Sequence, residues 1–256
     1  MIAAIFGIAL IALYARALHL YNRRFPAHPI APWRVAAFVC GIASLCAALS
    51  PPLDRAADAS FAAHMSQHMV LWLIAPPLIL MGAPLLLLVA VPPAAFARRI
   101  TAFANSQSGH ALFSPLTGWL SYVFVLWGAH FSPLYELALR YPAVHVVEHA
   151  LFLLVAFLFW GTIVQAGYAP RPVPHAVRAF LLFFTIPQGA FLGFALNATQ
   201  HVLYPSYLAR LGAAAALVDQ HNGADIMWIL GGFLLFVAFM CAAAAWAASE
   251  RSVARA

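Results

Sequence analysis

Apolar segments of about twenty residues follow one another along the chain, separated by short stretches rich in proline, glycine and charge. A bilayer core about 30 Å thick is crossed by roughly 20 apolar residues in a helix, which satisfies its own backbone polar groups without water. The pattern therefore predicts an all-α integral membrane protein, a bundle of about seven transmembrane helices. These helices are expected at 2–20, 33–50, 62–90, 114–131, 143–165, 176–197 and 224–248.

The composition strengthens this interpretation. The chain is 65% hydrophobic and only 8% charged, with a mean hydropathy of +0.90. No sizeable water-soluble domain fits into what remains, so we expect residues 1–256 to form a single seven-helix transmembrane domain. The third apolar segment is the longest, and Pro76-Pro77 in its middle predicts a kink, because proline nitrogens cannot donate a helical hydrogen bond.

The arginines predict the orientation. They lie scattered in short loops rather than along one stripe, which argues against nucleic-acid binding. Ten would fall on one side of the seven-helix arrangement and three, Arg55, Arg140 and Arg210, on the other. By the positive-inside rule the N-terminus is then outside and the C-terminus cytoplasmic.

Two histidine pairs at helical spacing are the main chemical signal. His64 and His68 begin the third predicted helix, and His145 and His149 begin the fifth. An i,i+4 spacing stacks both imidazoles on one helix face, so two such helices can present four nitrogen ligands to one metal ion. His130, near the outer end of the fourth helix, is a further candidate. A single histidine at a helix end is more often an interfacial polar residue or a helix-to-helix hydrogen-bond partner than a metal ligand.

Three methionines bear on which metal is expected. Met65 and Met69 follow the first histidine pair by one residue, and Met227 lies near the outer end of the last helix. Thioether sulfur is a soft ligand that favours Cu(I), whereas imidazole suits copper, zinc and iron. Copper, as Cu(I), is therefore the preferred metal and zinc the alternative. Core packing is the simpler role for the methionines themselves.

Further polar residues complete the set of secondary candidates. Glu148 is costly near an outer helix end unless paired, so it is expected to support a ligand, accept a proton or form an ion pair with Arg140. The loop predicted at about 198–223 ends in polar residues that include Asp219 and His221. Asp219 is a candidate for attracting a cation, and Asp225 is expected to cap the last helix.

The third segment, from His64 to Met69 with Ala75-Pro76-Pro77-Leu78 and Gly82-Ala83-Pro84, resembles the multi-pass CtaG family of cytochrome c oxidase assembly factors. Later segments resemble the family's motifs in the same order, so the resemblance covers most of the chain. They are Trp127 to His130 with Leu134-Tyr135, the pair His145 and His149, Asp219-Gln220, Met227-Trp228 and Gly231-Gly232. One departure is the polar set His221, Asn222 and Asp225 after Asp219-Gln220, where the family has mostly small or apolar residues.

The resemblance implies a multi-pass protein of the bacterial inner (cytoplasmic) membrane that acts as an assembly factor or metallochaperone rather than an enzyme. It would take copper from a periplasmic copper donor at the outer His and Met layer. It would then help to deliver that copper to the catalytic subunit of a haem-copper oxidase of the respiratory chain.

Two alternatives follow from the same histidines. One is an intramembrane zinc-dependent hydrolase with Glu148 or Asp219 as general base, although the chain lacks the Glu of an HExxH motif at His64. The other is a bis-histidine haem membrane protein whose axial ligands come from the third and fifth helices.

Overall fold

The computed structural model describes residues 2–169 and 171–253, and within those ranges every regular element is a helix. The prediction of an all-α protein is confirmed. The first half contains α1 (Ile2–Arg24), α2 (Pro32–Ala48), α3 (Pro51–Ala59), α4 (Phe61–Met69), α5 (Ala75–Met81), α6 (Pro84–Ala90), α7 (Ala94–Ala104) and α8 (Gln107–Leu112). The second half contains α9 (Pro115–Phe131), α10 (Leu134–Arg140), α11 (Pro142–Ile163), α12 (His175–Asn197), α13 (Pro205–Leu211), α14 (Ala213–Asp225) and α15 (Gly231–Val253).

By length and composition, four of the described helices can cross a membrane, and up to six if each of two bent helix pairs is one span. The four are α1, α11, α12 and the continuous helix formed by α14 and α15. The bent pairs join α2 to α3 and α4–α5 to α6. Large apolar side chains such as Phe124, Phe191 and Phe194 are exposed on the outside of the bundle, as expected for a surface that faces lipid.

The long third segment is interrupted in two ways. A π-helical turn (Val70–Ile74) joins α4 to α5, and Pro76 and Pro77 lie directly after it, in the first turn of α5. Pro76 has no N–H to donate to the carbonyl of Trp72, four residues earlier, and that carbonyl accepts from the Trp160 Nε1 of α11 at 2.8 Å instead. The 44° bend of this segment lies between Met81 and Pro84, where Ala83 has a left-handed φ of 54°.

The segment before the last helix differs from the prediction. Residues 213–225, expected to be mostly loop, form α14, which continues through a second π-helical turn (Ile226–Leu230) into α15. The run of alanines after Gly212 favours helix strongly and explains the early start. Asp225 is thus inside a continuous helix, and the expectation that it caps the last helix is wrong. Its carboxylate accepts from Asn197 and Trp228.

Two clusters of buried side chains hold the bundle together. The smaller one joins α1 and α2 to α5 and α6, with the ring of Tyr14 stacked on Phe38 at 3.8 Å. The larger one is rich in aromatic residues and includes Trp72, Phe152 and Phe159. In it α11 packs against α9, α5 and the first π-helical turn. This packing sets the start of α11 beside α4, where the histidine pairs lie.

Candidate metal centre

The two predicted histidine pairs face each other across the contact between α4 and α11. Within the pairs, the ring centroids are 4.3 Å apart for His64 and His68 and 4.1 Å apart for His145 and His149. Between the helices, His64 lies 5.0 Å from His145 and His68 lies 5.6 Å from His149. The four imidazoles, called the four-histidine cluster below, thus form one compact group.

The nitrogen positions suit a metal ion. One ring nitrogen from each member of the four-histidine cluster lies within 4.8 Å of the other three. Tetrahedral ligands with bonds of about 2.0 Å are about 3.3 Å apart, so small side-chain rotations would close the four nitrogens on one ion.

Hydrogen bonding supports the same interpretation. The Nε2 atoms of His64, His145 and His149 and both ring nitrogens of His68 are buried, and no hydrogen-bond partner reaches them. A buried polar atom left unsatisfied costs about 1–3 kcal/mol, so several in one place call for an explanation. A single cation bound between the rings would satisfy one nitrogen of each. The donor set therefore fits a metal that binds imidazole.

The tautomer of His64 is set by Tyr207, which lies on the short helix α13. The Tyr207 hydroxyl donates to the carbonyl of Ala57 at 2.8 Å and lies 3.1 Å from His64 Nδ1. Since the Tyr207 hydroxyl already donates its proton to Ala57, it accepts a hydrogen bond from the Nδ1–H of His64. The lone pair of the His64 ring is then on Nε2. Burial raises the pKa of Tyr207 and of its neighbour Tyr135, so both hydroxyls stay protonated at neutral pH.

His130 lies beside the four-histidine cluster rather than within it. Its Nδ1 donates to the carbonyl of Leu126 at 2.8 Å, so its Nε2 carries the lone pair, is buried and has no partner. The Tyr135 ring stacks against it at 6.0 Å and lies 4.9 Å from His64. The Nε2 of His130 therefore has a free lone pair that could bind a metal, but it lies outside the group of four close nitrogens.

Glu148 lies on α11 and faces both histidines of α4. Its Oε2 is 3.8 Å from His64 Nε2 and 3.9 Å from His68 Nε2, and both carboxylate oxygens are buried without a hydrogen bond. The suggested ion pair with Arg140 is wrong, because Arg140 pairs with Glu136 at 2.7 Å, one turn earlier on α10. Glu148 therefore places a carboxyl group beside the histidine nitrogens.

The remaining secondary candidates lie outside the group of four nitrogens. Met65, Met69 and Met227 are buried members of the larger apolar cluster. His221 Nε2 lies 3.1 Å from the carbonyl of Thr199. Each of these side chains therefore has a packing or hydrogen-bonding role of its own.

Asp219 of α14 caps the helix that carries the first histidine pair. Its carboxylate accepts from the Ser60 hydroxyl at 2.7 Å and from the Phe61 N–H at 2.6 Å, at the first turn of α4. It thus fixes the start of α4 rather than of the last helix. The sequence carried no sign of this contact, nor of that between Tyr207 and His64, since 158 and 143 positions separate the partners.

The chain was compared with known proteins. Residues 12–249 match the family model described as cytochrome c oxidase caa3 assembly factor. Uncharacterized proteins of Mycobacterium bovis and Mycobacterium tuberculosis are each 27% identical to this chain. The aligned region covers 97% of this chain and 39% of each relative's length. One of Mycobacterium leprae is 27% identical over 86% of this chain and 35% of its own.

This chain thus spans about two fifths of the length of these curated relatives. No solved structure matches it significantly. The family match covers nearly all of the chain, and it includes both histidine pairs and the residues that contact them. The chain therefore belongs to the cytochrome c oxidase caa3 assembly factor family.

Proposed function

We propose that this protein binds Cu(I) in the four-histidine cluster and helps to deliver it to the catalytic subunit of a haem-copper oxidase. The observation that carries the proposal is the group of four imidazole nitrogens within 4.8 Å of one another, buried and without hydrogen-bond partners. Family membership supplies the context of oxidase assembly and suggests a non-catalytic role.

The surroundings of the cluster favour a singly charged copper ion as the cargo. Neutral imidazoles in an apolar bundle hold a monocation at a lower desolvation cost than a dication, and Cu(I) accepts imidazole ligands. Glu148 can balance the single positive charge from the α11 side. Met65 and Met69 are on the same helix as His64 and His68 and are candidates for a soft ligand during transfer.

The proposed topology puts this cargo on the outer side of the bacterial inner membrane. It has seven spans in a single domain, with α9 and the two bent helix pairs as spans, the N-terminus outside and the C-terminus cytoplasmic. In support, Arg34 donates to the carbonyl of Met81, at the end of α5 farther from the histidines. This arginine thus lies at the end of the bundle that the proposed topology assigns to the cytoplasm. Copper would then come from a periplasmic donor, and the oxidase subunit would dock in the membrane.

Metal loading of the purified protein tests the binding step. Protein in detergent is incubated anaerobically with Cu(I) or Zn(II), and bound metal is measured beside a variant with His64, His68, His145 and His149 changed to Ala. We expect about one tightly bound Cu(I) per chain, lost in the fourfold variant and kept in His201→Ala, which removes an exposed histidine. Equal copper retention by the fourfold variant would contradict the site.

Delivery is tested in cells that depend on this protein for oxidase assembly. The double variant His68→Ala with His149→Ala should leave an oxidase that is deficient in copper and activity. Normal oxidase copper content in that strain, with the variant present at wild-type levels in the membrane, would contradict delivery from this cluster.

A zinc-dependent hydrolase is the second candidate, and the position of Glu148 favours it. A carboxylate 3.8–3.9 Å from two potential ligand nitrogens could accept a proton from a metal-bound water. Preferential zinc retention together with zinc-dependent cleavage of peptides or lipids would favour this function over copper delivery.

A further inference from the structure

The members of the four-histidine cluster differ in their access to the surface. His64, His68 and His149 are 0%, 1% and 7% exposed, whereas His145 is only partly buried. An ion that reaches the cluster from outside the bundle therefore meets His145 first. The surroundings of His145 decide which ions come close.

Two carboxylates lie near His145. Asp54 and Asp58 are four residues apart on α3, so they share one face of this short helix. Both interact electrostatically with His145, and Asp54 also interacts with His149. Asp58 is exposed and Asp54 is partly buried. The pair thus extends from the surface towards the histidines.

A hydrogen bond ties this acidic face to the helix of the first histidine pair. Gln67 Nε2 donates to Asp54 Oδ1 at 2.9 Å and to the carbonyl of Ala48 at 2.8 Å. Gln67 is fully buried and directly precedes His68 in the chain. The Asp54 carboxylate is therefore held in place beside the cluster.

Neither carboxylate forms an ion pair with an arginine of the described residues. Among the described residues the one arginine in an ion pair is Arg140, and its partner is Glu136. Behind the carboxylates lie the buried, unpartnered nitrogens of His64, His68 and His149. An acidic surface that leads to unsatisfied buried ligands is an arrangement that collects cations.

We propose that Asp54 and Asp58 form an outer capture site that attracts a weakly ligated metal cation and passes it through His145 to the three buried histidines. The capture site rests on the proposed copper-binding function. It acts on the rate at which the cation arrives, because its carboxylates are steering charges rather than members of the final nitrogen ligand set.

Association kinetics test the capture site. Cu(I) stabilised by acetonitrile is mixed anaerobically with the detergent-purified protein, and unbound copper is trapped at intervals with a chromogenic Cu(I) chelator. The variants are Asp58→Asn and the double change Asp54→Asn with Asp58→Asn. Asparagine can still accept the Gln67 hydrogen bond, so the fold around α4 is retained. Glu136→Gln is the matched control, since it removes one negative charge that is already paired with Arg140.

At low ionic strength we expect association to slow roughly threefold in Asp58→Asn and roughly tenfold in the double variant, with dissociation unchanged. The differences should vanish at high salt, where charges are screened. Glu136→Gln should bind at the wild-type rate.

Equal association rates in all variants would overturn the capture site and leave copper binding intact. A wild-type protein that binds no Cu(I) would overturn the proposed function and the capture site together. A slower dissociation of copper from the variants, without any change in association, would also contradict a steering role.

Discussion

His64 shows how a neighbouring residue prepares an imidazole to act as a ligand. Tyr207 fixes the hydrogen on Nδ1, and Nε2 is left free towards the other histidines. In known metal sites such supporting hydrogen bonds are worth about 10- to 100-fold in metal affinity. The tyrosine contributes this effect without touching the metal.

Changing Tyr207→Phe should lower Cu(I) affinity roughly 10-fold, because His64 loses the acceptor that fixes its tautomer. Affinity is measured by competition with a chelator, and nitrogen NMR of labelled histidine reports the tautomer directly. Tyr141→Phe, on an exposed tyrosine, is the control. Unchanged affinity together with an unchanged His64 tautomer would contradict the positioning role of Tyr207.

Glu148 brings a carboxyl group to 3.8–3.9 Å from a ring nitrogen of His64 and of His68. Changing Glu148→Gln keeps the shape but removes the carboxylate near His64 and His68. Because Coulomb energy scales with ionic charge, we expect roughly a 100-fold loss of Zn(II) affinity and roughly a 10-fold loss for Cu(I). Parallel titrations with the two metals measure the ratio, and equal losses would show that the carboxylate does not act through charge.

At the scale of elements, the contact between α11 and the first π-helical turn includes a buried hydrogen bond from Trp160 to the carbonyl of Trp72. Changing Trp160→Phe leaves the carbonyl of Trp72 without its donor and should destabilise the protein by about 1–3 kcal/mol. Thermal unfolding in detergent measures the change. Trp246→Phe is the control, since the indole N–H of Trp246 bonds Glu250, one turn away on the same helix, α15. A melting temperature equal to that of the control would contradict this role.

The helices were predictable from the sequence to different degrees. Long apolar segments such as 143–165 and 176–197 identify their helices, because lipid requires an internally bonded backbone. The i,i+4 spacing placed each histidine pair on one helix face. In contrast, α14 was missed because its polar residues are typical of a loop, whereas tertiary contacts use them: Asp219 caps α4, and Gln220 bonds the Leu203 N–H. Contacts between distant segments, such as Asp54 with Gln67, leave no local signal.

At the scale of the whole molecule, the proposed orientation makes a prediction about access. In a variant whose three cysteines are replaced by Ala, Arg140→Cys should react with a membrane-impermeant thiol reagent in intact spheroplasts. Arg98→Cys should react only after the membrane is opened, since the proposed topology sets it on the cytoplasmic side. Gel shifts after labelling read out both, and the reverse pattern would invert the proposed topology.

The bundle joins its two histidine-bearing segments at two depths. Near one end, the imidazoles of α4 and α11 are in contact, and deeper in the bundle Trp160 reaches the Trp72 carbonyl. Two separated attachments prevent one segment from pivoting on the other. The histidine side chains therefore lose their conformational entropy when the chain folds, and not when an ion binds. In the proposed function, such a rigid frame would let side-chain rotations load and release the ion while the protein stays folded.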